Sequence, residues 1–196
     1  MKSINEHLDD LVTIKKIMDK STRFVSLSGL SGVFAGITAV AGFGYAITLL
    51  PISGDQEIIK NLTIAAILVL VTAISGAVVL SYRKALKQGQ KIWTPVSKRL
   101  LVSISIPLLT GGILIMILLS HGLYDLIVPA MLIFYGLALV SAEKFTYSEL
   151  FYLGILEIIC GLVTAVIPGI GLYTWVAGFG LLHIIYGLLM YRKYDK

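Results

Sequence analysis

The sequence predicts an all-α membrane protein: six transmembrane helices in three antiparallel hairpins, preceded by an amphipathic helix on the cytoplasmic side. Three observations predict it. First, 57% of the 196 residues are hydrophobic and 14% are charged, whereas soluble domains are about a quarter charged; the mean hydropathy is +0.91. Second, the apolar residues form long runs separated by short polar stretches, as crossing a hydrocarbon core of about 30 Å requires. Third, with both termini in the cytoplasm, every lysine and arginine except Lys60 falls on the cytoplasmic side. That bias sets orientation and requires an even number of spans, and six is the even number that fits the runs.

Two units follow: the amphipathic segment 1–23 and a transmembrane domain over 24–196, with no room for a soluble catalytic module. The net charge of +5 sits beside apolar runs and marks membrane orientation rather than nucleic-acid binding. The one cysteine, Cys160, excludes an intramolecular disulfide. No cleavable leader is expected, because the first residues are polar and precede no short apolar core with a small-residue cleavage site.

In the N-terminal segment, Ser3 and Glu6 have capping-box spacing, and Ile4, Leu8, Leu11, Ile14 and Met18 recur at helical steps. Packing of this stripe against the bundle is the expectation. The first span, about 24–50, places Ser28, Gly32 and Gly36 at four-residue intervals, a small-residue face that lets another helix backbone approach closely. No lysine follows these glycines, so they do not form a phosphate-binding loop.

A short loop precedes the second span, about 61–82, which ends at Tyr82, Arg83 and Lys84. Arg83, Lys84, Lys87, Lys91, Lys98 and Arg99 then follow with no acid among them. Such a cluster is expected at anionic lipid headgroups, at about 1 kcal/mol per basic residue. The third span, about 97–119, contains Pro107, where a kink is expected. The fourth covers about 126–141.

The fifth span, about 150–167, and the sixth, about 172–191, are joined by Pro168, Gly169, Ile170 and Gly171. At about 1.5 Å per residue, Glu157 lies about 16 Å before Pro168 and His183 about 18 Å after Gly171. A hairpin therefore brings them to one depth, near mid-bilayer. An ionisable residue there is costly and is read as a candidate functional site. Glycines flank each of them at helical spacing: Gly154 and Gly161 around Glu157, Gly180 and Gly187 around His183. Both therefore point into the bundle.

The candidate polar site comprises Glu157 and His183, with Tyr135 and Tyr186 nearby. Burial disfavours the charged form of either partner and ion pairing opposes that, so the pair reads as proton-sensitive or as one wall of a polar cavity. The plainer reading is an interhelical hydrogen bond that fixes packing, worth about 0.6 to 2 kcal/mol. The helix-packing candidates are Ser28, Gly32, Gly36, Gly154 and Gly161. His7, His121 and His183 have no metal-ligand spacing, and no nucleophile motif is present, so neither metal, cofactor nor catalytic residue is expected. Cys160 reads as a small packing residue. Trp93, Trp175, Tyr173 and Tyr191 read as interfacial anchors.

There is also an internal echo. Ile133, Tyr135, Gly136 and Leu137 match Ile184, Tyr186, Gly187 and Leu188, and Gly29 to Gly36 repeats the spacing of Gly154 to Gly161. Together these predict three hairpins related by a parallel repeat.

Three stretches carry a resemblance over nearly the whole chain: 28–36 after the polar N-terminus, 97–101 opening the third span, and 178–187 containing His183. Through them the chain resembles a family of small bacterial six-span membrane proteins without an established activity. More distantly, the three-hairpin arrangement and the spacing of Gly154, Gly161 and Pro168 resemble HdeD-type acid-resistance membrane proteins. Neither resemblance supplies a catalytic residue. The expected function is that of a non-enzymatic protein of the bacterial cytoplasmic membrane acting through interaction or sensing, with the bilayer and a second copy as candidate partners. The alternative is a channel or carrier for a proton, ion or small solute built on the Glu157 and His183 pair.

Overall fold

A computed structural model describes residues 27–49, 55–89 and 91–196. The N-terminal amphipathic segment lies outside the described residues. Among the described residues, six helices are long and apolar enough to cross a bilayer, and no strand forms. They are α1 (Gly29–Leu49), α2 (Asp55–Lys87), α3 (Pro95–Ser120), α4 (Ile127–Ala142), α5 (Glu149–Val166) and α6 (Gly171–Asp195).

Most boundaries follow the apolar runs. The second helix is longer at both ends than its run, because residues 55–87 contain no proline and the polar flanks on either side are good helix formers. A reciprocal pair starts α3: the Thr94 side chain accepts from the Ser97 backbone, and Ser97 Oγ accepts from the Thr94 backbone. The helix runs on through Pro107 without a break. Between α5 and α6, Gly169 takes φ +81°, a conformation that disfavours other residues.

The sixth helix is not uniform. Val176–Leu182 and Tyr191–Asp195 are π-helical, with α-helix between them. Such widened turns are uncommon and recur at functional sites. The periodicity of the sequence does not reveal them.

The closely packed pairs are α1 with α2, α3 with α4, α4 with α5, and α1 with α6. Two of these joints have the same construction. A Cβ on Gly154 would lie 2.7 Å from the Gly136 carbonyl and 3.0 Å from the Val140 nitrogen, and one on Gly29 would meet the Gly187 carbonyl at 2.6 Å and the Tyr191 nitrogen. One turn pair further on, Gly161 faces Pro129 and Ile133 as Gly36 faces Gly180 and Ile184. Position by position, α5 on α4 matches α1 on α6. Gly32, between these contacts, faces the Gly187 Cα at 3.1 Å. Four of the five packing candidates, Gly32, Gly36, Gly154 and Gly161, thus meet neighbouring helices within the chain; Ser28 precedes α1, is buried and hydrogen-bonds Asp195.

Between α5 and α6 the backbones stay further apart, and polar side chains bridge them at three levels. Thr164 Oγ1 donates to Thr174 Oγ1 near the turn at 2.7 Å, Glu157 meets His183 midway, and Lys193 pairs with Glu149 at the far end. This polar seam lies between the two glycine joints.

Candidate intramembrane polar site

Glu157 comes from the middle of α5, on the same face as Leu150, Leu153, Gly154, Gly161 and Thr164, all buried. It is 0% exposed, and His183 is 5% exposed. Oε1 of Glu157 lies 3.4 Å from Nδ1 of His183, so the two residues are in contact; equal depth alone did not require this, since rotation of either helix could have kept them apart. Glycine at position 178 makes room for the carboxylate: a Cβ there would lie 2.5 Å from Oε2 and 2.7 Å from Leu132.

Hydrogen-bonding rules fix the roles on the imidazole. Nδ1 of His183 is 3.0 Å from the Gly178 carbonyl, which can only accept, so Nδ1 carries a proton. On a neutral ring Nε2 must then accept, and the Tyr135 hydroxyl donates to it at 2.6 Å. The Nδ1 proton is directed chiefly at Gly178, with Glu157 beyond good hydrogen-bond distance. Neither carboxyl oxygen of Glu157 has a hydrogen-bond partner among the described residues. The chain of groups is Tyr135, His183 and Glu157, anchored to backbone inside the π-helical turn.

Aromatic rings seal one side of the site. Tyr135 packs on Phe179 at 5.1 Å and on His183 at 5.3 Å, and Trp175 packs on Phe179 at 5.7 Å. Trp175 is 9% exposed, so it belongs to this internal stack and is not an interfacial anchor; Tyr173 and Trp93, at 66% and 67%, do face outward. Tyr186 is placed differently from Tyr135. Its ring packs against the cluster of Leu100, Leu139, Ala142, Leu150 and Leu153, and its hydroxyl makes no hydrogen bond among the described residues. Among the described residues, one surface hollow lies beside Lys98, Val102 and Phe145 and another between Phe34 and Val71, and neither of these is lined by Glu157 or His183.

The chain matches no family model, no curated protein and no solved structure. What the site can do is therefore read from its geometry. Among the described residues, no cluster of histidine, cysteine and carboxylate side chains has the makings of a metal site.

A second polar cluster escaped the sequence reading. Lys84 is 9% exposed and donates to the Leu27 carbonyl at 2.8 Å and the Tyr147 hydroxyl at 3.1 Å, and it pairs with Asp195 at 2.6 Å. Oδ2 of Asp195 in turn accepts from the Ser28 hydroxyl at 3.0 Å and the Gly29 backbone at 2.9 Å. It thereby caps the first turn of α1, where a negative charge is favoured. Burial pushes the Tyr147 phenol up, against the opposing effect of the Lys84 hydrogen bond and charge, so Tyr147 stays a neutral acceptor. Lys84 thus differs from the other five basic residues of its stretch, which are exposed wherever their side chains are described. The signal in the sequence was Asp195, the lone acid in a basic terminus.

Proposed function

We propose that this is a non-enzymatic integral protein of the bacterial cytoplasmic membrane, with both termini cytoplasmic, that acts through interaction or sensing. The Tyr135, His183 and Glu157 chain is its proton-responsive element. The observation that carries the reading is the complete burial of Glu157 in contact with His183. A carrier needs a continuous polar path, and here the carboxyl group is fully buried, with Gly178 and His183 beside it.

Protonation has a mechanical consequence at this site. An imidazolium donates from both nitrogens, so Nε2 ceases to accept from Tyr135 and that hydroxyl must turn its proton elsewhere. The same ring is tied to the Gly178 carbonyl within the π-helical turn. A change of protonation therefore acts on Tyr135 and the rings packed on it, Phe179 and through it Trp175, while the Nδ1 bond to Gly178 is kept.

The test uses the internal stack. The chain has two tryptophans, and Trp93→Phe leaves Trp175 as the reporter. Its fluorescence in vesicles is expected to titrate with pH, and the titration to vanish in both Glu157→Gln and His183→Ala. An unchanged titration in both variants overturns the reading.

The alternative, a channel or carrier, is favoured by one observation: the unpartnered oxygens of Glu157 and hydroxyl of Tyr186 are polar atoms that a passing ion or water would satisfy. Proton or cation flux in reconstituted vesicles that is abolished by Glu157→Gln establishes that alternative instead.

A further inference from the structure

The matching joints of α1 on α6 and α5 on α4 define a relation between hairpins. Calling α1 with α2 the first hairpin, α3 with α4 the second and α5 with α6 the third, each joint sets the leading helix of one hairpin against the trailing helix of another. The first hairpin meets the third, and the third meets the second. The same step applied once more sets the leading helix of the second, α3, against the trailing helix of the first, α2. That third joint is not formed within the chain: α2 and α3 are not a closely packed pair. They are also the least buried spans, with 6% and 11% of their apolar stretches buried against 17% to 33% in the other four.

We propose that this open seam is the interface with a second copy of the chain, in which α2 of each copy docks on α3 of the other. The relation between the hairpins is parallel, so it keeps each helix in its own direction across the membrane. A two-fold axis along the membrane normal does the same. Two copies placed with their open seams facing one another bring α3 against the partner's α2 and α2 against the partner's α3, closing the seam twice through large apolar side chains in place of glycines, since Gly76 and Gly111 already face Phe34 and Phe134. Such an interface is self-complementary, as a two-fold dimer requires. The faces available are apolar rows: Val102, Ile106, Leu109, Ile113 and Met116 on α3, 61% to 71% exposed, and on α2 Leu68, Val71, Ile74, Val78 and Tyr82, 52% to 62% exposed. The inference rests on the membrane-spanning reading and is independent of what Glu157 and His183 do.

Cross-linking tests it on the full chain in vesicles, in a Cys160→Ser background. Ile74→Cys on α2 and Leu109→Cys on α3 stand at similar distances from the loop joining these helices. Two differently tagged chains, one carrying each substitution, are expected to form a disulfide-linked pair of mixed tags. Leu162→Cys, on the exposed face of α5, is the control and is expected to give no pair with either. The oligomer in mild detergent is expected to have the mass of two chains. Links only between like positions, a link within one chain when both substitutions share it, or a single-chain mass with no link each overturn the proposal. The last outcome assigns the faces to lipid or to the N-terminal segment.

Discussion

At the scale of single residues, Gly178 is as much part of the candidate site as the ionisable pair. The Glu157 carboxyl occupies the volume that a side chain at 178 would fill, so Gly178→Ala forces the two against each other. Overpacking of this kind costs about 1 to 3 kcal/mol. The cost is expected to shrink in a Glu157→Ala background, because the carboxyl is gone and only Leu132 still crowds the added methyl; such non-additivity is measured by the double-mutant cycle of unfolding free energies in detergent. Equal costs in both backgrounds would show that the carboxylate does not lie over Gly178. Tyr135→Phe removes the donor to His183 Nε2 and leaves that nitrogen buried without a partner. A loss of about 0.6 to 2 kcal/mol is expected in the same assay. Glu157 and His183 were legible in the sequence because charge is rare in apolar helices and depth can be counted along a helix. Gly178 and Trp175 were not, because their roles depend on which way α6 is rotated, and the π-helical turn sets that rotation.

At the scale of helices, the glycines divide by what faces them, and their sequence spacing only partly announces it. Gly36 and Gly154 press on backbone atoms of a neighbouring helix, which cannot yield as a flexible side chain can. Gly36→Ala and Gly154→Ala are each expected to destabilise by about 1 to 3 kcal/mol. Gly44 and Gly112 have open space where a Cβ would go. Alanine there is expected to leave stability unchanged or raise it by up to about 1 kcal/mol, since glycine costs a helix interior about that much. Thermal unfolding of the four variants separates the two classes, and a loss at Gly112 matching that at Gly154 would contradict the packing. The four-residue and seven-residue rhythms identified Gly32, Gly36, Gly154 and Gly161 in advance. They did not say which helices meet, because a small-residue face fits any close neighbour. The seam between α5 and α6, joined by a short turn, proves the more open one, and the tight joints go to α4 and α1.

At the scale of the molecule, the cluster of Lys84, Tyr147 and Asp195 ties four separated parts of the chain together. Leu27 and Ser28 lead into α1, Lys84 ends α2, Tyr147 precedes α5, and Asp195 closes α6. Composition indicated a basic stretch at this end but not that one lysine turns inward, since only the fold brings a residue near the C-terminus to the start of α1. The pair is buried, with side-chain exposures of 9% and 8%, and such pairs have a distinctive energetic signature. Removing one partner strands the other charge and costs about 3 to 5 kcal/mol, whereas replacing both with apolar residues of similar volume is often near neutral. Lys84→Met alone is therefore expected to destabilise more than Lys84→Met combined with Asp195→Leu. The double variant does not return fully to the wild-type value, because Asp195 also accepts from Ser28 and Gly29 and its loss leaves the first turn of α1 uncapped, a cost of about 1 kcal/mol. Asp195→Asn keeps an acceptor for that turn and loses the charge, so it is expected to fall between wild type and Lys84→Met. If instead the two single charge removals and the double variant were all equal to wild type in unfolding free energy, the pair would be a solvated surface contact, and α1 and α6 would be held together by their glycine joint alone.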